Sequence, residues 1–366
     1  MKLRLAARRR YALEARLDLL RAVGVGHALR RRSEDKRHRR ALADRRPRVT
    51  AEIWRDAAAE LGAEVHEPEP GVLEFRLGAA TTQVRGQTTP FSDAASDRLA
   101  SDKPVAYRLL ADAGLPVPAH EVVRVAERGN AEAFLARIGS PCIVKPARGA
   151  GGDGVTGEVR TPQQLRRALV RVGKMHDEAL IEHQAAGDSY RLLLLDGTLL
   201  DTLRRRRPTV TGDGTASIEK LMFREYARRI DEDGPSGIKP FIVDLDCLFT
   251  LENGGLGIDT VLPAGTSVVV KTATNYNAAE ETETVRDEIP ESILEAARLA
   301  ASTLGVRLAG VDIVAPDLDR PLAESGGVVL EVNDAPGLNH HYNVADPAGA
   351  TRIAVPILRA LLRGGA

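Results

Sequence analysis

Asp312, Glu331 and Asn333 stand inside two short apolar runs, Gly310-Val311-Asp312-Ile313-Val314 and Val328-Val329-Leu330-Glu331-Val332-Asn333. The β-branched neighbours favour strands. Residues two apart in a strand share a face, so Glu331 and Asn333 point the same way. If the two strands are neighbours, the three side chains form a cluster of hard oxygen donors. Mg²⁺ takes a few such oxygens and completes its octahedron with water and phosphate oxygens. The bland alternative is a buried polar cluster closing the end of a sheet.

A second set of residues is cationic. The run Pro141-Cys142-Ile143-Val144-Lys145-Pro146 reads as a buried strand ending in a lysine. It enters Ala147-Arg148-Gly149-Ala150-Gly151-Gly152-Asp153-Gly154. Glycines let backbone N–H groups approach phosphate oxygens with no Cβ in the way, and Lys145 adds a positive charge beside them. No Gly-Lys-Ser/Thr follows, so this is not a P-loop. The glycine spacing also fails the dinucleotide fingerprint. A flexible turn is the competing reading. Downstream, Glu182 closes a strand and Asp188 follows in Gly187-Asp188-Ser189-Tyr190-Arg191. A strand exit of this kind can offer its backbone to an adenine edge and a second acid to ribose hydroxyls, although such acids are commonly just solvated. Arg204 to Arg207 are adjacent. Four such charges repel unless an anion or acids lie close.

These residues need elements to hold them. Thr50 opens a helix with Trp54, Ala58 and Leu61 on one stripe, ended by Gly62. Residues 72–76 alternate as a strand. Ser101-Asp102-Lys103-Pro104 starts a helix that ends at Gly114, which puts Lys103 at a helix N-terminus. Thr161-Pro162-Gln163-Gln164 is a capping box, and its helix runs to Gly173. Tyr190–Leu195 and Thr198–Leu203 flank Asp196-Gly197 as a hairpin. Residues 204–222 form a basic, glycine-bearing loop entering a helix. Residues 241–271 alternate between turns. Helices are expected over Glu291–Leu304 and near 349–363.

Composition narrows the class. The 366 residues carry 51 Lys plus Arg and 51 Asp plus Glu, so net charge points to neither nucleic acid nor membrane. Cys142 and Cys247 lie in apolar, strand-like runs and read as small buried hydrophobes. No run approaches a membrane span, and the Arg-rich start lacks an apolar core, so a cytoplasmic protein is expected. Residues 1–49 are strongly basic. Few aromatics interleave there for base stacking, so solvated helix faces or an oligomer contact are favoured over a nucleic-acid patch.

Taken together, Lys103, Lys145 with its glycine loop, Glu182, Asp-Ser-Tyr-Arg, Thr-Gly-Asp-Gly at 211–214, Gly-Val-Asp-Ile-Val and Glu-Val-Asn-Asp-Ala-Pro-Gly resemble an ATP-grasp enzyme. The resemblance runs over residues 72–345 and is to the ligase domain of cyanophycin synthetase and of fused glutathione synthetases. It implies an α/β (α+β) fold in which two antiparallel-rich subdomains clamp ATP, with a smaller N-terminal domain. The corresponding division is 1–100, 101–203 with a lid subdomain at about 137–186, and 204–366. The implied roles are ATP phosphates for Lys103 and Lys145, a lid for Gly149, Gly151, Gly152 and Gly154, an adenine hinge for Glu182 and ribose for Asp188. Asp312, Glu331 and Asn333 would hold Mg²⁺, which Mn²⁺ can replace. Arg191, Arg206 and Asn275 would face the acyl phosphate, and Asn275, Asn339 and His341 the substrate. The implied reaction joins a small carboxylate to an amine, both amino-acid-like, in a homo-oligomer. A small-molecule kinase or a non-catalytic nucleotide-binding module are the alternatives. The chain departs from that pattern at Asn275-Tyr276-Asn277-Ala278-Ala279-Glu280-Glu281, which lacks glycines and gains acids, and at Asn339, where an arginine is expected. Both changes suggest a substrate less anionic than poly-aspartate.

Overall fold

The computed structural model describes residues 47–139, 141–149, 152–231, 243–274 and 279–364, with Arg10, Tyr11, Leu13, Glu14, Leu17, Leu20 and Arg45 before them. The reading of residues 1–49 therefore falls largely outside the described residues, as do Gly151 and Asn275.

Three antiparallel sheets organise the chain. A hairpin-linked sheet contains β1 (Glu64–Glu69), β2 (Val72–Leu77) and β3 (Ala80–Arg85) in that order. A four-stranded sheet contains β4 (His120–Arg124), β5 (Cys142–Pro146), β6 (Thr156–Val159) and β7 (Glu178–His183), in the order β4-β7-β5-β6. The largest contains β8 (Asp188–Leu195), β9 (Thr198–Arg205), β12 (Thr282–Thr284), β13 (Leu308–Ala315) and β14 (Val328–Asn333), in the order β12-β9-β8-β13-β14. A short ribbon pairs β10 (Thr209–Thr211) with β11 (Ser267–Val269).

Alternation along the five-stranded sheet divides its faces. Tyr190, Leu192, Leu194, Val311 and Ile313 pack against the helices Glu291–Thr303 and Lys103–Asp112. The opposite face splits along its length. At one end Leu193, Leu195 and Leu308 are buried with Trp54, Phe75 and the helix Ala354–Arg363. At the other end that face carries charge and meets the four-stranded sheet across a cleft. The domain boundary expected at residue 203 falls inside β9, whose hairpin with β8 belongs to the same sheet as β13 and β14.

Local signals account for several element ends. Thr161 accepts from Gln164 N, and the Gln164 side chain returns to the Thr161 backbone, closing the capping box of helix Pro162–Gly173. Asp196 and Gly197 both take positive φ (47° and 77°), as the tight β8–β9 turn requires. One expectation fails. Residues 241–271 contain the helix Leu245–Asn253, capped by Asp244, and Cys247 is helical. Leu245 and Phe249 face the core of the four-stranded sheet, while Cys247 and Leu251 face a second core with Val210, Ile218 and Met222. A helix buried on two sides shows no single apolar stripe. The final helix begins at Ala354, after a short 3₁₀ turn at Pro347–Gly349.

Candidate functional site

The cleft between the four- and five-stranded sheets holds a cavity of about 340 Å³. Among its lining residues are Lys103, Lys145, Arg148, Gly149, Gly152, Glu182, Asp188, Arg205, Asp312 and Glu331.

The floor is the β13–β14 pair. Asp312 lies directly opposite Glu331, and Gly310 opposite Asn333, so the register places all three side chains on one face. Asn333 Nδ2 donates to Gly310 O at 3.1 Å, which leaves Oδ1 as the atom suited to a cation. Two carboxylates and an amide oxygen are the hard donor set Mg²⁺ prefers, so the residues fit that ion.

Arginines already sit on this acid. Arg191 donates through Nε and Nη2 to Asp312 at 2.7 and 2.6 Å. Arg205 Nη2 reaches Asp312 Oδ1 at 3.0 Å and Ser189 Oγ at 3.0 Å. Burial would raise the Asp312 carboxyl, but Arg191 and Arg205 outweigh it and hold the group below its ordinary range. Arg205 is pushed down to about 10, chiefly by burial and then by Arg191 beside it, with Asp312 opposing.

The upper wall carries the lysines. Lys103 and Tyr107 are four apart on helix Lys103–Asp112, hence on one face. Lys103 Nζ lies 3.7 Å from Glu331 and donates to Gly149 O. Burial depresses its pKa and Lys145 adds to the effect, while Glu331 opposes both. Lys145 Nζ donates to Glu182 Oε1 at 2.8 Å and to Tyr107 OH at 3.1 Å. Tyr107 OH in turn donates to Glu182 Oε2 at 2.8 Å. Both Glu182 carboxylate oxygens are thus engaged with Lys145 and Tyr107. Gly149, Gly152 and Gly154 all have positive φ (110°, 77° and 79°). A Cβ on Gly154 would stand 2.6 Å from Met175 Cε, the mobile end of that side chain, and 3.1 Å from Pro146 Cγ.

The arginine run resolves by period two. Arg205 and Arg207 line the cleft. Arg204 and Arg206 turn outward onto Glu283, with Arg206 Nη2 3.0 Å from Glu283 Oε1. The structure therefore brings Arg205, and not Arg206, to Asp312. Asn339 is buried, and its Oδ1 accepts from Gln87 Nε2 at 3.4 Å. His341 is fully buried, with Nδ1 2.6 Å from Asp201 Oδ2; neither it nor Asn339 lines the cavity. The acids gained near the expected substrate loop are also engaged elsewhere. Glu281 accepts from Thr209 N at 2.6 Å, Glu280 lies 3.5 Å from Arg228, and Glu283 holds two arginines. The Thr-Gly-Asp-Gly motif is a brace. Asp213 Oδ1 accepts from Thr215 N and Ala216 N, and a Cβ on Gly212 would lie 2.4 Å from Pro263 O. Sequence reasoning passed over Tyr107, whose only signal is its four-residue spacing from Lys103. It also passed over Thr272 to Thr274, which line the cleft.

Two antiparallel sheets thus face each other across the cleft, with lysines above and an acid–amide trio below. Residues 102–186 match the family described as carbamoyl-phosphate synthase L chain, ATP binding domain. The chain carries an ATP-grasp domain with homology to cyanophycin synthetase and bifunctional glutathione synthetase. It is 32% identical over 292 residues to cyanophycin synthetase of Geminocystis herdmanii, covering 78% of this chain and 33% of that protein. It is 27% identical over 256 residues to a glutathione biosynthesis bifunctional protein of Streptococcus thermophilus, covering 68% of this chain and 34% of the other. The fold is similar to that of a bifunctional glutathione synthetase from Pasteurella multocida, with a TM-score of 0.53 at 21% identity over 83% of this chain and 42% of that one. The chain spans about a third of the length of the curated relatives it matches. Among the described residues no helix is long and apolar enough to cross a membrane.

Proposed function

We propose that the chain is an ATP-dependent carboxylate–amine ligase that joins two small amino-acid-like molecules through an acyl phosphate. The observation that carries this reading is the apposition of Lys103 and Lys145 with Asp312, Glu331 and Asn333 across one cleft.

In this reading a substrate carboxylate oxygen attacks the γ-phosphorus of ATP, and the bond to the β-phosphate oxygen breaks to release ADP. An amine nitrogen then attacks the acyl carbon, phosphate leaves, and the amine gives up a proton. Phosphoryl transfer demands positioning and positive charge around the equatorial oxygens. Lys103, Lys145 and Arg205 supply that charge from this chain. Asp312, Glu331 and Asn333 would hold Mg²⁺, which would supply further positive charge against the charge that develops on phosphoryl transfer. For Asp312 this means sharing its carboxylate between the cation and the two arginines. Loop 149–154 would shield the acyl phosphate from water. Holding the amine beside it contributes on the order of 7–11 kcal/mol.

The test is incubation of the protein with ATP, Mg²⁺ and pooled amino acids, followed by mass analysis. New amide masses that appear together with ADP and phosphate support the reading. ATP consumption that needs only one substrate and yields a phosphorylated product would overturn it.

A further inference from the structure

Asp246 is almost completely buried and belongs to no part of the site described above. It occupies the first turn of helix Leu245–Asn253, where the helix dipole favours a carboxylate. Its two oxygens accept three backbone N–H groups from two separate segments. Gly157 N donates to Oδ1 at 2.9 Å. Thr272 N and Ala273 N donate to Oδ2 at 2.9 and 3.1 Å. Gly157 is in β6 of the four-stranded sheet, and residues 272–273 form part of the cleft wall.

A second observation is independent of the carboxylate. At Gly157 a Cβ would stand 2.8 Å from Thr272 Cβ and Cγ2, so the Thr272 side chain packs directly on the glycine and leaves a Cβ no space without a shift. The helix bearing Asp246 is itself anchored to the four-stranded sheet. Leu245 and Phe249 lie in that sheet's core, and Asn253 Nδ2 donates to Glu158 O at 2.7 Å.

We propose that Asp246 is a positioning residue that fastens the Thr272–Thr274 wall of the cleft to the four-stranded sheet. That wall then moves with Lys145 and the glycine loop, and not with the sheet bearing Asp312. Whatever co-substrate rests on Thr272–Thr274 is held in register with the phosphate-gripping half of the clamp. The inference rests on the nucleotide reading of the cleft and adds the coupling of its two binding regions.

The experiment is hydrogen exchange on the full chain, alone and with Mg²⁺ and a non-hydrolysable ATP analogue. In the wild type, peptides covering 153–159 and 270–274 gain protection together. Asp246→Asn offers one carbonyl oxygen where two carboxylate oxygens served, and its amide N–H₂ opposes a backbone N–H. Lys271 Nζ lies 2.5 Å from Asp244 and 4.0 Å from Asp246, so the variant removes the farther carboxylate charge and leaves the nearer one for the buried ammonium. The expected result is that 153–159 keeps its nucleotide-linked protection while 270–274 loses it. Retained protection at 270–274 overturns the proposal. Without nucleotide, the Thr272 and Ala273 amides should exchange roughly tenfold faster in the variant, as loss of a buried hydrogen bond implies; equal rates also overturn it. Gly157→Ala separates the same segments with every charge intact and predicts the same split, which covers the case in which Asp246→Asn fails to fold. A wild-type chain whose exchange ignores nucleotide refutes the nucleotide reading, and the nucleotide-free exchange rates still decide the fastening.

Discussion

Replacing Arg205 and Arg206 separately by methionine distinguishes a catalytic cation from a surface one within a single run of sequence. Arg205 is buried, with Nη2 3.0 Å from Asp312, whereas the Arg206 side chain is 54% exposed and pairs with Glu283. The fold holds the Arg205 charge at a cost. A fall from 12.5 to about 10 corresponds to on the order of 3 kcal/mol against the ionised form. Burial and the neighbouring Arg191 outweigh the attraction of Asp312. In the proposed reaction the Arg205 charge faces the transferred phosphoryl group from the cleft wall. Arg205→Met should therefore leave the thermal midpoint nearly unchanged or raise it, since Asp312 keeps both bonds to Arg191. Turnover should fall roughly 10²–10³-fold, the effect of removing one donor aimed at developing charge, or about 2.7–4 kcal/mol. Arg206→Met removes a solvent-screened ion pair, which contributes ~0–1 kcal/mol. Its turnover should stay within about twofold of wild type. The assay is ADP release coupled to amide formation, with thermal unfolding measured in parallel. A loss in Arg206→Met equal to that in Arg205→Met, or full activity in Arg205→Met, would refute the period-two assignment.

Four further outcomes follow from the same geometry. Tyr107→Phe removes the hydroxyl shared by Lys145 and Glu182, and nucleotide affinity measured by calorimetry should weaken roughly tenfold; an unaltered affinity would contradict the bridging role. Glu331→Gln should move the Mg²⁺ dependence of nucleotide binding to higher metal concentration, and a superimposable titration would exclude Glu331 as a ligand. Asp244 is buried, which alone would raise its pKa, but Lys271 and Arg171 bring it down to about 2 from 3.8. A lowered carboxyl contributes stability that is present above its unfolded value and lost as pH falls through the folded one. About 2 kcal/mol should therefore disappear between roughly pH 4 and pH 2, and Asp244→Asn should flatten that limb of the acid-unfolding curve; coincident limbs would count against the assignment. Gly212→Ala puts a Cβ 2.4 Å from Pro263 O and should destabilise by at least ~1–3 kcal/mol in denaturant titration. An unshifted midpoint would mean that the 212–214 turn is looser than described.

How far the sequence carried this picture depended on whether a signal was local. Turn and cap chemistry is local, so the Asp196-Gly197 hairpin and the Thr161 capping box stand where the residues place them. The alignment of Glu331 and Asn333 follows from the two-residue strand period and reaches across to Asp312 through β13–β14 pairing. Choosing among Arg204–Arg207 needed a fact outside that run, namely that β12 brings Glu283 opposite Arg204. Once that pairing exists, alternation sends Arg204 and Arg206 to one side and Arg205 and Arg207 to the other. Helix Leu245–Asn253 was hidden because both its sides are buried, which erases the polar stripe that marks a surface helix. The acids gained at 280 and 281 suggested a less anionic substrate, but their partners, like those of Glu283, lie outside that stretch of sequence. Arg228, Thr209 and the Arg204–Arg206 pair engage them. Lys103 and Lys145 were legible because each ends or begins an element, whereas Tyr107 and Asp246 act by joining elements far apart in sequence. Residues that hold chemistry in place carry no motif of their own, and their substitution should alter how the two halves of the cleft respond to nucleotide more than it alters the chemistry of either half.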